Sequence, residues 1–224
     1  MWNIFKFDQG TSNDLAAIKK YLIASMNGVV SSNMKHLGYK LNYGVSLPRI
    51  KELASRFKQS ETLAECLWKS DCREMKIMAT LLHPKESFDQ KKALKWALEC
   101  TNMELAEQFS INIAAEKEFA PELACRLLEE MEVMPRALAY ILAATAEKRV
   151  SMSETEFTRL FQKAEADLYS PEAAIYSSVA RFLKQASRRE KEKTLHLIEN
   201  IDTKKGPGCA WVCEEVRTYI EYMN

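Results

Sequence analysis

The sequence predicts an all-α protein. Three observations carry this: Ala, Leu, Glu and Lys recur throughout, only 6 Gly and 6 Pro occur in 224 residues, and apolar residues return at i, i+3, i+4, i+7 in one segment after another. That spacing gathers apolar side chains on one face of a helix. No segment shows the strict apolar-polar alternation of a half-buried strand.

The helical faces are clearest in Met75, Met78, Ala79, Leu82; in Leu138, Ile141, Leu142, Thr145; and in Phe157, Leu160, Phe161, Ala164. Helix starts are marked as well. Ser87 with Gln90 and Ser153 with Glu156 have the spacing of a capping box. Ser170 before Pro171 reads as an N-cap followed by proline at the first helical position, and Pro121 and Pro135 open helices in the same way. These signals predict helices near 12–26, 48–58, 61–69, 71–82, 89–100, 102–115, 121–130, 135–148, 153–165, 171–186, 189–201 and 209–222.

The connections are short, and no Gly-rich or Ser-rich linker divides the chain, so residues 1–224 read as a single domain. Helix pairs recurring about every 35 to 45 residues suit a HEAT-like solenoid, in which each pair buries its face by stacking on its neighbours. A compact helical bundle satisfies the same periodicity. The repeat shows in the architecture rather than in residue identity.

At 47% hydrophobic residues the chain can bury a substantial core, yet no segment approaches the roughly 18 consecutive apolar residues of a membrane span. The opening "MWNIFKFDQG" lacks the basic stretch and long apolar run of a secretory leader, and a cytoplasmic protein is expected. Cys66, Cys72, Cys100, Cys125, Cys209 and Cys213 lie inside helical patterns without CxxC spacing, which reads as buried free thiols. His36, His83 and His196 lack ligand spacing, so no metal is expected. Neither GxSxG nor a phosphate-binding glycine loop occurs, which argues against triad chemistry and nucleotide hydrolysis.

Net charge is +1 and gives no general case for nucleic acid, but the charge is unevenly spread. Between Arg181 and Lys205 eight Lys/Arg face four Asp/Glu, a basic run that could track a phosphate backbone. Residues 101–130 carry seven acidic and two basic side chains.

Two neighbouring stretches, "YGVSLPRIKELASRF" (43–57) and "LAECLWKSDCREMKIMATLL" (63–82), are more specific. The ordered set of aromatic-Gly-Val followed by Pro, a helix, a Leu-Trp ending and an Arg-Glu opening resembles the DNA alkylation repair (AlkD-like) family, more faintly from about 13 to 200. That resemblance implies a right-handed α-solenoid of HEAT-like repeats, an ARM-like superhelix with a concave basic cleft for double-stranded DNA. Active members are glycosylases that release N3- and N7-alkylated purines without a deep base pocket. A cationic alkylpurine is a good leaving group, so a carboxylate flanked by aromatic faces suffices to stabilise the sugar cation and direct water.

Carried onto this chain, the resemblance places Met103 where a cleft tryptophan is expected and Glu107 at the catalytic aspartate. It implies Arg136 as a phosphate contact and places Arg181 where a second cleft tryptophan is expected. Met103 and Glu107 share a helix stripe by their i, i+4 spacing, and arginine cannot supply the π face of the lost ring. By residue type alone, Glu107 is a solvated helix carboxylate and Arg181 a surface cation. Trp68 and Trp96 read as packing residues.

Two functions follow. One is a DNA-binding alkylpurine glycosylase with an altered site, using Glu107 and no cofactor. The other is a catalytically inactive scaffold, binding DNA of a particular structure or a protein partner. A monomer without membrane attachment is expected in either case.

Overall fold

A computed structural model describes residues 8–34 and 39–223. His36 lies outside them. All regular elements among the described residues are helices: α1 Gln9–Ala24, α2 Gly28–Asn33, α3 Leu47–Ala54, α4 Glu61–Trp68, α5 Arg73–Leu82, α6 Gln90–Leu98, α7 Met103–Phe109, α8 Ala120–Leu127, α9 Val133–Ala146, α10 Glu154–Asp167, α11 Ala173–Arg189, α12 Lys191–Asn200 and α13 Cys209–Tyr222. A π-helical turn, Ser110–Ala114, extends α7. The chain forms two compact units, Met1–Asp89 and Gln90–Asn224.

In the first unit, α4 packs on α5, with α3 against α5 and α1 against α4. The Arg-Glu opening of α5 is buried, and it explains the preceding motif. Glu74 accepts the backbone N–H groups of Tyr43 (3.0 Å) and Val45 (3.1 Å), while Arg73 Nη1 donates to the Val45 carbonyl (2.8 Å) and to Glu74 (3.1 Å). Gly44, held between these bonds, has φ +67°, and a Cβ there would overlap the Asn27 carbonyl and the Ser31 amide. The motif residues are thus a buried clamp. Trp68 is buried at the end of α4, with Lys76 Nζ 4.7 Å from its ring centroid.

The second unit shows two layers. Helices α7, α9, α11 and α13 pack each on the next, and α8, α10 and α12 pack against α9, α11 and α13 respectively. Most of α9 is buried, including Leu138, Tyr140, Ile141 and Leu142, so this helix forms the centre of the unit. Trp96 of α6 is fully buried. The stacking of successive helix pairs is the arrangement expected of repeats that cannot cover their apolar faces alone.

Several expectations need correction. The Ser153–Glu156 capping box is present. Ser87 caps nothing: α6 begins at Gln90, and the Ser87 hydroxyl donates to the Pro84 carbonyl (3.5 Å). Ser170 and Pro171 likewise precede the helix, which starts at Ala173, and the Ser170 hydroxyl accepts from the Glu172 amide (3.2 Å) in a turn. Segment 102–115 is not a uniform α-helix. Ser110 donates back to the Ala106 carbonyl (2.9 Å), and the Ala115 amide reaches Ser110, five residues back. All six cysteines are free thiols, but Cys66 is only half-buried. No described helix is long and apolar enough to cross a membrane.

Candidate nucleic-acid interface

The four residues singled out by sequence lie in the second unit, on helices of one layer. Asn102 caps α7 by accepting from the Leu105 amide (3.0 Å), which sets the helix phase. Leu105, Ala106 and Phe109 are buried, so Met103 and Glu107 fall on the half-buried opposite stripe. Facing them is α11, whose Ile175, Val179, Phe182 and Leu183 are buried. Ser178 and Arg181 of α11 meet the α7 stripe.

Arg181 Nη1 donates to Glu107 Oε1 at 2.8 Å, and the side chains are 37% and 40% exposed. The Ser178 hydroxyl bonds to the Ala174 carbonyl (2.7 Å) and lies 3.9 Å from the Met103 sulfur. Met103, Glu107 and Arg181 therefore come together. Where active members of the family resembled carry a carboxylate flanked by aromatic faces, this chain has a carboxylate paired with a guanidinium, beside a thioether.

Arg136 makes a different pair. Near the start of α9 its Nη2 donates to Asp167, the last residue of α10, and the Tyr140 hydroxyl donates to the other Asp167 oxygen at 2.7 Å. Asp167 is 5% exposed and Arg136 23% exposed, and Arg136 Nε is buried with no hydrogen-bond partner. Burial, the Asp167 charge and the hydrogen bond to it push the Tyr140 hydroxyl well above the usual tyrosine range. Asp167 gives an arginine in the first turn of a helix, where the dipole disfavours it, a compensating charge.

The uneven charges answer one another in part. In the acidic stretch Glu107 pairs with Arg181, Glu116 with Arg149 (3.2 Å) and Glu129 with Arg159 (2.7 Å). In the basic run from Arg181 to Lys205, ion pairs hold Arg181, Lys184 with Glu215, Arg189 with Glu154 (2.6 Å) and Lys205 with Asp202 (3.9 Å). Lys193 Nζ sits 4.8 Å from the Phe161 ring centroid. The basic run is built more into packing than its composition indicates.

Sequence reasoning missed the residues next to Met103. A cavity of about 430 Å³ is lined by Met103, Tyr176, Ser177, Pro207, Gly208 and Trp211, among others. Tyr176 and Trp211 meet edge to face, with ring centroids 6.0 Å apart. The signal available was the pair of glycines around Pro207: a Cβ at Gly206 would crowd the Tyr169 backbone, and one at Gly208 would overlap the Tyr176 ring.

A solved structure described as "a new family of proteins related to the HEAT-like repeat DNA glycosylases with affinity for branched DNA structures" is similar at a TM-score of 0.78 and 13% identity, covering 92% of this chain and 94% of that one. The likeness establishes a HEAT-like repeat helical fold. No curated protein matches in sequence. Residues 20–210 match the family described as DNA alkylation repair enzyme, and the chain belongs to that family.

Proposed function

We propose that this protein binds DNA through its phosphate backbone, discriminates by DNA form, and does not excise alkylated bases. The observation that carries the reading is the 2.8 Å contact between Arg181 Nη1 and Glu107 Oε1. Hydrolysis of an alkylpurine nucleotide builds positive charge on the sugar, and a catalytic carboxylate helps only if its charge is not already balanced. A sugar cation beside the Glu107–Arg181 pair meets attraction and repulsion of similar size. Met103 supplies no ring face to offset this.

Binding needs less than catalysis does. Arg181 and Arg136 each retain guanidinium N–H groups beyond those given to Glu107 and Asp167, and partial exposure lets phosphate oxygens compete for them. Affinity for branched DNA in the similar structure supports DNA form, rather than a lesion, as the feature read. The reading takes residues 1–224 as one DNA-binding array acting as a monomer and requires neither metal nor organic cofactor.

Alkylpurine excision is the second reading, favoured by the 40% exposure of the Glu107 side chain. Gel-shift titrations of intact duplex and four-way junction, at low and moderate salt, test the first. Junction binding that weakens with salt and exceeds duplex binding is expected. Salt-insensitive or absent binding contradicts a phosphate-reading surface and leaves a protein-binding scaffold.

A further inference from the structure

From the cavity beside Met103 we infer a stacking site for one unpaired nucleobase, such as those exposed at a DNA branch point. This rests on the DNA-binding reading above and gives it a structural selector. Trp211 of α13 is 46% exposed, an unusual investment for the residue type most often used in packing. Its ring forms one wall of the cavity and Tyr176 of α11 another. The site thus offers aromatic rings in an otherwise largely apolar lining, the feature that holds a splayed base by stacking.

The cavity is built by the fold. Gly208 lets the Tyr176 ring lie against the chain at the start of α13, where any side chain would displace it. Ser177 turns its hydroxyl back to the Ala173 carbonyl (2.6 Å), which leaves the α11 wall apolar. Its volume of about 430 Å³ lies within the roughly 300–1,000 Å³ typical of small-ligand sites.

Charge selects a nucleotide over a neutral aromatic ligand. Arg181 lies one helical turn beyond Ser177 and Ser178 on the cavity's own helix, held toward α7 by Glu107. The contact with Glu107 uses Nη1, and a guanidinium beside Met103, which lines the cavity, favours a ligand that carries a phosphate. A paired base is unavailable for insertion, because its faces and edge are already used. The site therefore favours branched or gapped DNA over intact duplex.

The experiment compares the wild type with Trp211→Ala and Trp211→Phe on a four-way junction, a three-way junction with two unpaired bases at the branch, and intact duplex. Trp211→Ala should weaken binding to the unpaired-base junction by roughly 5- to 140-fold, the span of alanine losses at base-stacking aromatics. It should leave duplex binding within about 2-fold, and Trp211→Phe should restore most of the loss. A 2-aminopurine at the unpaired position should lose fluorescence on binding wild type and retain it with Trp211→Ala. Equal weakening on every DNA, or none, overturns the stacking site while leaving the DNA-binding reading intact. Failure of the wild type to bind any of these DNAs overturns both.

Discussion

Replacing Asp167 with alanine should be costly well beyond the usual effect of a helix-end substitution. Asp167 accepts hydrogen bonds from Arg136 and from the Tyr140 hydroxyl, and Tyr140 is fully buried. Stranding that hydroxyl costs about 1–3 kcal/mol. Removing the carboxylate from Arg136 adds a charge-assisted bond of about 1.5–3 kcal/mol, discounted because the 23% exposure of Arg136 lets water substitute. A total of about 2–4 kcal/mol follows for Asp167→Ala. In urea, with a slope of roughly 2–3 kcal/mol per molar, the unfolding midpoint should fall by about 1 M. Combining the substitution with Tyr140→Phe removes the stranded donor, so the double variant should be less destabilised than the sum of the singles. A loss under about 1 kcal/mol, or strict additivity, would refute the account of Asp167 as the shared anchor of Arg136 and Tyr140.

The same network has a pH signature. Because the Tyr140 pKa is raised above the ordinary value of 10.0, the folded state keeps a proton that the unfolded chain releases. Its stabilisation is full below pH 10 and is lost as pH rises above it; urea midpoints should fall more steeply there in wild type than in Tyr140→Phe. Glu74→Gln should cost about 3–5 kcal/mol, because a neutral amide cannot accept both backbone N–H groups or balance the buried guanidinium. Removing both charges, as Arg73→Met with Glu74→Gln, should recover part of that loss in the same urea titration. Thiol labelling under native conditions should modify half-buried Cys66 first. Burial pushes the Cys72 thiol up to about 12 and the Cys125 thiol up to about 11, so both should react only as the chain unfolds.

Much of the fold is legible in the sequence because helix faces and caps are local signals. Phe157, Leu160, Phe161 and Ala164 share a face with no knowledge of their neighbours, and Ser153 with Glu156 marks its own helix start. Where the prediction slips, the same residue types serve turns: Ser87 and Ser170 bond to loop groups instead of capping. Helix α2, GVVSSN, is too short to display a period. In the site, the Met103–Glu107 stripe is legible because it follows from helix phase. The partner of Glu107 is not, since Arg181 is 74 residues away and only the packing of α7 and α11 on α9 brings them together. Asp167, 31 residues from Arg136, is equally hidden at the end of an amphipathic helix. Tyr176 and Trp211 become neighbours only when α11 meets α13.

The central claim, that pairing with Arg181 has taken Glu107 out of base excision, is tested most directly by one assay. Purified protein is incubated with methylated duplex DNA and the 3-methyladenine and 7-methylguanine set free are measured against a protein-free control. The account predicts release no faster than the spontaneous rate. Protein-dependent release that Glu107→Gln abolishes would contradict it and restore Glu107 as a catalytic carboxylate.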